Sequence, residues 1–292
     1  MSTLAATARA FAVAVVLVVP ACRSTLSLTD VGLSVPESAL HDVAADVYLV
    51  SNINGSPFGE DGKGFISRVS PGGEVLELKW IDGAQIGVTL NAPKGMAIVG
   101  DTLYVADVTA VRGFDRVSGE PKTSLIIEGT SFLNDVAAGA DGTVYVSDTG
   151  LGPGFSPTGS DAVYAIRADG NIRVLAEGRE LGQPNGLLVA GDRVVVVNWQ
   201  GGTVSSIAPD GTVTEVARLP ENNLDGIVAD AYGDWLISSW AGGCVYRVSP
   251  GGNAVVALPE LDAPADLGID AKRGRLLLPW FNAARVDILP LP

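Results

Sequence analysis

The sequence predicts an all-β fold, a single six-bladed β-propeller. The 292 residues include 36 glycines and 17 prolines, and 47% of them are hydrophobic. So many turn-forming residues in an apolar chain are typical of many short strands joined by tight turns. Similar strand–turn–strand units recur along the chain, and no long amphipathic helical pattern competes with them.

The repeated units share a polar or charged residue at the start of their first strand. These markers are Glu37, Lys94, Asn134, Asn185, Asp225 and Asp266, at steps of 40 to 57 residues. Repeats of this length are typical of propeller blades. Residues 194–197 are all valine, as expected for a strand buried between adjacent blades. Two polar, glycine-rich insertions, residues 52–64 and 149–160, are predicted to be loops over one mouth of the channel.

The first residues predict an export signal. Residues 11–19 form an apolar run that is too short to cross a bilayer as a helix but matches a signal-peptide core. We therefore expect residues 1–21 to be a signal peptide and Cys22, which is the last residue of a lipoprotein-like box, to be lipidated. Residues 22–35 are predicted to be a linker or a segment that closes the ring by pairing with the last blade, and residues 36–292 to form the propeller.

Charge and composition exclude several function classes. A formal net charge of −14 opposes binding to nucleic acids and to anionic lipids. The single histidine excludes multi-histidine zinc sites and leaves little room for a Ser-His-Asp triad. Cys244 is expected to be a small core residue. We expect a monomer that is periplasmic or an outer-envelope lipoprotein, or otherwise secreted, with membrane contact only through the lipid.

The marker residues predict the position of a site. Because the innermost strands of a propeller surround its channel, side chains at the starts of these strands can converge on the axis. Their carboxylate and amide oxygens suit Ca²⁺ best, with Mg²⁺, Mn²⁺ or Zn²⁺ as alternatives. Asn185-Gly186 and Asp225-Gly226 could instead be turn dipeptides. Lys94 could form a salt bridge or hold an anionic substrate.

Several stretches resemble the senescence-marker-protein/gluconolactonase/regucalcin-like propellers. The stretches are Pro36-Glu37-Ser38, Phe132-Leu133-Asn134-Asp135, Pro184-Asn185-Gly186-Leu187, Leu224-Asp225-Gly226-Ile227 and the Trp-Gly-Gly-like stretch that contains Trp240-Ala241-Gly242-Gly243. The resemblance implies that Glu37, Asn185 and Asp225 bind a divalent cation. It also implies hydrolysis of a lactone or related ester, in which the cation polarises the carbonyl and Asp225 helps to remove a proton from water.

The same resemblance places other residues around the substrate. Asn134 would contact the substrate or water, and Asp135, Lys94 and Phe132 are further candidates for substrate binding. Three positions differ from the family pattern: Phe132 replaces an arginine, His41 a tryptophan and Val136 a glycine. An apolar Phe132 favours a less polar substrate than an aldonolactone, or no substrate at all. His41 could carry protons, but a structural role is favoured.

A second interpretation stays open at this point. The chain could be a non-catalytic propeller, similar to NHL-repeat proteins, that binds a protein or a glycan at the cell envelope. The second strands of the units end in acidic or tryptophan residues, for which we expect packing between blades. These are Asp107, Asp148, Trp199, Trp240 and Trp280.

Overall fold

The computed structural model describes residues 25–292 and confirms the six-bladed β-propeller. Blades 1 to 5 are four-stranded antiparallel sheets in which the strands follow one another from the innermost to the outermost position. The predicted signal peptide and Cys22 lie outside the described residues. Within these residues, no helix is long and apolar enough to cross a membrane.

The strands are numbered in chain order. The N-terminal strand is β1 (Leu26–Leu28), and blade 1 consists of β2 (Pro36–Asp42), β3 (Val47–Asn52), β4 (Phe65–Val69) and β5 (Val75–Asp82). Blade 2 consists of β6 (Pro93–Val99), β7 (Thr102–Asp107), β8 (Ala110–Asp115) and β9 (Pro121–Ile126). Blade 3 consists of β10 (Leu133–Ala138), β11 (Val144–Asp148), β14 (Ala162–Ile166) and β15 (Ile172–Glu177).

The remaining blades repeat this order. Blade 4 consists of β16 (Pro184–Ala190), β17 (Arg193–Asn198), β18 (Thr203–Ile207) and β19 (Val213–Arg218). Blade 5 consists of β20 (Leu224–Ala229), β21 (Trp235–Ser239), β22 (Cys244–Val248) and β23 (Ala254–Leu258). Blade 6 contains β24 (Gly268–Asp270), β25 (Arg275–Trp280) and β26 (Arg285–Pro290). A small hairpin, β12 (Leu151–Gly152) with β13 (Ser156–Pro157), encloses a 3-10 turn (Pro153–Phe155), and a second turn is Arg179–Leu181.

The N-terminal segment closes the ring by pairing with the last blade. Strand β1 pairs antiparallel with β26 and supplies the outermost strand of blade 6. Leu28 is buried in the cluster between blades 6 and 1, together with Leu277 and Ile288. Because the beginning of the chain pairs with the last blade, blade 6 also has four strands and the ring of blades is closed.

The core lies between neighbouring blades. The strand at residues 194–197 is fully buried, and its side chains contribute to two clusters, one toward blade 3 and one toward blade 5. Cys244 is a buried free cysteine within the second of these clusters, which confirms its predicted role as a small core residue. The outermost strands, such as β5 and β19, are largely exposed.

A β-bulge interrupts the innermost strand of each of blades 1 to 5. In blade 2, Lys94 and Gly95 together oppose one residue of β7, and equivalent register shifts occur in the other four blades. A bulge bends the strand and redirects a side chain. The bulges therefore explain why the marker residues of blades 1 to 5 all point toward the channel.

Serine hydroxyls satisfy backbone groups that the bulges remove from the strand ladder. The hydroxyls of Ser51, Ser147 and Ser238, each on the second strand of its blade, accept hydrogen bonds from backbone N–H groups at the bulges, at 2.9, 3.0 and 2.8 Å. A buried N–H without an acceptor would destabilise the fold. These serines thus stabilise the bulges in blades 1, 3 and 5.

The closure of the ring can be tested with Leu28→Ala. Because Leu28 is 5% exposed, we expect its truncation to lower the free energy of unfolding by about 2 kcal/mol or more. Leu76→Ala removes the same atoms from a side chain that is 48% exposed and should cost less than about 0.5 kcal/mol. Urea denaturation measures both; equal losses would contradict a structural role for the closing strand.

Candidate metal and substrate site

Five marker residues line one small cavity at the loop end of the channel. Glu37, Lys94, Asn134, Asn185 and Asp225 reach this cavity from the innermost strands of blades 1 to 5. The cavity has a volume of about 20 Å³. Since one water molecule needs roughly 10–15 Å³ by this kind of measure, the cavity has room for a single water-sized group beneath its mouth.

Asn185-Gly186 and Asp225-Gly226 lie in bulged strands, so their interpretation as turn dipeptides is wrong. Their glycines are needed for close packing of the innermost strands. A Cβ atom on Gly186 would lie 2.3 Å from the carbonyl oxygen of Asp225, and one on Gly226 would lie 2.3 Å from the backbone nitrogen of Leu267. Any larger residue would push neighbouring blades apart at the channel.

Two hydrogen bonds hold the carboxylate of Asp225. The amide Nδ2 of Asn185 donates to Oδ1 at 3.0 Å, and the indole Nε1 of Trp240 donates to Oδ2 at 2.7 Å. Each oxygen thus has one donor, Asn185 from blade 4 and Trp240 from the same blade as Asp225. These contacts orient Asp225 and leave further lone pairs of its oxygens for a water molecule or a cation.

The carboxyl group of Glu37 is buried without enough hydrogen bonds to offset the cost of its removal from water. Its side chain is buried, and its Oε2 atom has no hydrogen-bond partner among the described residues. A buried carboxylate oxygen without a donor is costly. A ligand that brings positive charge or a donor to this oxygen would remove the cost.

Lys94 makes an unusual set of contacts for a buried ammonium group. Its Nζ donates to the carbonyl oxygen of Ala92 at 3.0 Å and lies 4.4 Å from the centre of the Phe132 ring. Within residues 25–292 it forms no salt bridge, so the expected ion pair is not found. Burial lowers the pKa of Lys94 to about 8, against the opposing effect of Glu37 and Asp107.

Asn134 and Asp135 are adjacent but face different ends of the channel. The Nδ2 of Asn134 donates to Oγ1 of Thr149 at 3.0 Å on the cavity side. The Asp135 carboxylate faces the opposite end, where Oδ2 accepts the backbone N–H of Leu187 at 2.6 Å. It also fills the space left by Gly95, whose Cβ would lie 2.0 Å from Oδ1. The structure therefore places Asp135 away from the other predicted substrate residues.

Asp266 does not occupy the marker position in blade 6. The backbone of Asp266 approaches Gly226 in the same way that the backbone of Asp135 approaches Gly95. Asp266 therefore corresponds to the second residue of each bulge, and Ala265 corresponds to the first residue, which is the marker position. The Oδ2 of Asp266 accepts the hydroxyl of Ser38 at 2.5 Å, and the side chain lines the opposite end of the channel. The repeat spacing alone could not detect this shift by one residue.

Four buried carboxylates and one buried ammonium share the channel. Burial, followed by the charges of Asp225 and Asp266, raises the pKa of Glu37 well above its usual value. Burial and the charge of Asp266 raise the pKa of Asp225 to about 8. Burial raises the pKa of Asp266 to about 7 and that of Asp135 well above its usual value. Without a cation, this channel therefore favours protonated carboxyl groups.

The opposite end of the channel opens into a larger cavity of about 630 Å³. Strand backbones and apolar side chains such as Met96 and Ile98 form much of its wall. His41 lies here, where its Nε2 is 3.2 Å from Oδ1 of Asp46 and its Nδ1 is 3.5 Å from Oδ1 of Asp270. It is therefore remote from the cavity that contains the marker residues, in agreement with a structural role.

Six aromatic side chains surround the mouth above the marker residues, and we call them the aromatic collar. Neighbouring rings in the collar have centroids 4.7 to 6.1 Å apart. In order of contact they are Phe132, Phe58, Phe155, Trp199, Trp240 and Phe281. The two insertions predicted to cover the mouth supply Phe58 and Phe155.

The collar corrects the expected packing of the strand-end residues. Trp199 and Trp240 line the cavity, whereas Trp280 packs in the cluster between blades 5 and 6 as expected. Asp107 and Asp148 accept backbone N–H groups of the segments that enter β6 and β10, so they act within their own blades. Phe58, Phe155 and Phe281 were not predicted from the sequence, although aromatic residues after the second strand were the available signal.

The donor set fits a hard divalent cation. Two carboxylates and one amide, with an unpartnered oxygen on Glu37, are the oxygen ligands that such ions prefer. No group of three His, Cys, Asp or Glu side chains with the geometry of a metal site is found in the part of the chain described here. A cation at this position would therefore need a ligand of another type, which the Asn185 amide oxygen could supply.

The fold and the cavity define a propeller with an acidic, oxygen-rich site at one end of its channel. A sequence model of the SMP-30/Gluconolactonase/LRE-like region matches residues 66–267. This is more than half of the chain, so the protein belongs to the SMP-30/gluconolactonase/LRE-like family. The match includes Asn134, Asn185 and Asp225, and Glu37 precedes it. A comparison with curated protein sequences gave no match.

Solved structures show the same architecture at low sequence identity. A gluconolactonase from Xanthomonas campestris is 19% identical, with a TM-score of 0.71 over 92% of this chain and 89% of that one. A catalytically inactive virginiamycin B lyase from Staphylococcus aureus with quinupristin is 14% identical, with a TM-score of 0.61 over 92% and 99%. A chain of a nidogen/laminin complex is 17% identical, with a TM-score of 0.62 over 76% and 79%. These likenesses show the fold.

The raised pKa values predict how stability depends on pH. The pKa values of Asp225 and Asp266, about 8 and about 7 when folded, are near 3.9 in an unfolded chain. Between these limits the folded protein binds more protons, so its stability falls as pH rises from about 5 to about 8 in the presence of a chelator. Thermal unfolding across this range measures the slope.

Asp266→Asn should make this slope shallower, because one of the carboxyl groups that ionises on unfolding is removed. Asp192→Asn, at an exposed position, is the matched control and should keep the slope of the unmodified protein. An unchanged slope in Asp266→Asn would show that its carboxyl group is ionised in the folded protein throughout this range.

Proposed function

We propose that this protein is a divalent-cation-dependent hydrolase that opens a lactone or a related ester. The observation that carries the proposal is the unpartnered, buried Oε2 of Glu37 in one cavity with Asn185 and Asp225. Family membership supports the lactonase class, and the donor set supports cation dependence. Glu37, Asn185 and Asp225 would hold the ion, with Ca²⁺ favoured over Mg²⁺, Mn²⁺ and Zn²⁺.

When bound, the cation would supply the positive charge that polarises the ester carbonyl. The residues of the chain would accept the proton, orient the reacting groups and stabilise negative charge. Asp225 accepts a proton from the attacking water, while Asn185 and Trp240 keep its carboxylate oriented. Asn134 offers an amide to a substrate oxygen. Lys94 contributes positive charge near the oxygen atoms that become more negative as the ring opens.

Phe132 distinguishes this cavity from one suited to a sugar lactone. Its ring covers the Lys94 ammonium at 4.4 Å and contacts Phe58 at 4.7 Å. A phenyl ring offers no hydrogen bond to a sugar hydroxyl, so a polyhydroxylated lactone would leave polar groups without partners. The environment therefore favours a less polar lactone, as the sequence comparison of this position predicts.

The non-catalytic alternative and the cellular location are open to direct tests. Cation binding without hydrolysis of any lactone would favour a propeller that binds a protein or a glycan. We also propose export, lipidation of Cys22 and a monomeric mature protein. Mass spectrometry of the N-terminus and sedimentation of the purified protein test these three points.

Cation binding should stabilise the fold. At a concentration one hundred times its dissociation constant, the ion would add about 2.7 kcal/mol to the free energy of unfolding. Glu37→Gln and Asp225→Asn should largely abolish this gain, whereas Asp192→Asn should retain it. Thermal unfolding with and without each ion measures the effect. If millimolar Ca²⁺, Mg²⁺, Mn²⁺ and Zn²⁺ all fail to stabilise the protein, the proposed metal site is wrong.

Asp225 should also be required for turnover. Replacing the proposed base by the isosteric Asp225→Asn should lower kcat for lactone opening by about 10²-fold or more. Acid release in a pH-stat measures the rate across a panel of lactones. Asp192→Asn should have normal activity. A fully active Asp225→Asn enzyme would assign the proton-accepting role to another group.

A further inference from the structure

The aromatic collar follows the symmetry of the fold. In five of the six blades, the connection between the second and third strands places one aromatic ring at the mouth. These rings are Phe58, Phe155, Trp199, Trp240 and Phe281, and blade 2 has Val108 at the corresponding place. Phe132, which precedes β10, completes the row. The collar is thus a continuous apolar surface directly above Glu37 and Asp225.

The collar rings are poorly explained by packing of the core. Trp199, Trp240, Phe58 and Phe281 are only partly buried, and Phe155 is 41% exposed. In the hydrophobic clusters between blades, the collar contributes only Phe281, beside Ile53, Ala92 and Val108 at the mouth itself. A row of partly exposed rings that ends at the buried Phe132 beside a polar cavity indicates a binding surface.

Phe155 shows the most unusual backbone in the collar. It lies at the end of the 3-10 turn Pro153–Phe155 with φ of 56°, in the left-handed region that bulky residues rarely adopt. The short hairpin of β12 and β13 holds the turn in this conformation. Its ring stacks nearly parallel to that of Trp199, with an angle of 13° between them. Such backbone strain is commonly found where a side chain must be positioned for function.

The chemistry of the collar selects for an apolar ligand. Phe58, Phe155, Trp199 and Phe281 contact other aromatic rings, whereas Phe132 covers the Lys94 ammonium and the indole N–H of Trp240 already donates to Asp225. A substituent with hydroxyl groups would lose hydrogen bonds to water and gain few others, since phenyl rings offer none. An alkyl or aryl substituent would lose only its contact with water, which is favourable.

We propose that the aromatic collar is a subsite for an alkyl or aryl substituent on the ring of the lactone substrate. This inference rests on the proposed function. The cavity beneath the collar holds only about 20 Å³, so the substrate must displace the loop-borne rings of Phe58 and Phe155. The substituent then replaces ring–ring contacts with contacts of the same apolar kind.

The test compares δ-valerolactone with δ-decalactone, which has the same ring and a pentyl chain, and with δ-gluconolactone. The unmodified protein should have a kcat/KM at least tenfold higher for δ-decalactone than for δ-valerolactone. Phe155→Asn should lower this ratio at least fivefold. Asparagine tolerates the left-handed backbone, so the variant removes the ring without a new strain. Tyr232→Asn, which removes an aromatic residue that is 89% exposed outside the collar, should keep the ratio.

The outcomes separate this inference from the proposed function. If δ-valerolactone is opened but the pentyl chain gives no gain, or δ-gluconolactone is the best substrate, the collar subsite is wrong and the hydrolase stands. If no lactone is opened, the hydrolase is wrong. The collar is then tested by quenching of tryptophan fluorescence with the matching alkyl δ-lactam, which resists hydrolysis. Saturable quenching that is weaker in Phe155→Asn supports the subsite, and its absence overturns it.

Discussion

The close approach of the innermost strands at the channel axis is the constraint on which the rest of the structure depends. Gly186 and Gly226 permit it, because a Cβ at either position would collide with the backbone of the next blade. The β-bulges that contain these glycines turn the preceding Asn185 and Asp225 toward one cavity. The site is therefore a direct product of how the blades close into a ring, and no separate loop has to assemble it.

The same closeness buries more acidic than basic groups in the channel. Lys94 provides the single ammonium among the marker residues, and its Nζ approaches a carbonyl oxygen and the Phe132 ring instead of a carboxylate. The carboxyl groups respond by raised pKa values, whose first cause is burial. A divalent cation would reverse this balance, since it replaces protons as the compensating charge. Cation binding to the carboxyl groups of the channel can thus be coupled to proton release and to the stability of the fold.

The repeat and its turns were sufficient to predict the six blades and five residues of the cavity, because strand periodicity and turn chemistry are local properties. The shift of Asp266 was not predictable, since it depends on which bulge residue faces which end of the channel. The orientation of Asp135 toward the opposite end of the channel was not predictable for the same reason. Phe155 also depends on a backbone conformation that bulky residues seldom adopt, so its position could not be read from residue type.

The contrast between the charged marker residues in the cavity and the aromatic collar above them determines what chemistry is favourable there. The Lys94 ammonium lies 4.4 Å from the centre of the Phe132 ring, so an apolar ring covers one side of the positive charge. Interactions between charges strengthen when water is excluded. A substrate whose apolar part occupies the collar would complete that exclusion and strengthen the effect of Glu37, Lys94 and Asp225 on its carbonyl group. Selectivity for apolar substituents and electrostatic activation would then arise from the same contact, and a hydroxylated substrate would weaken both.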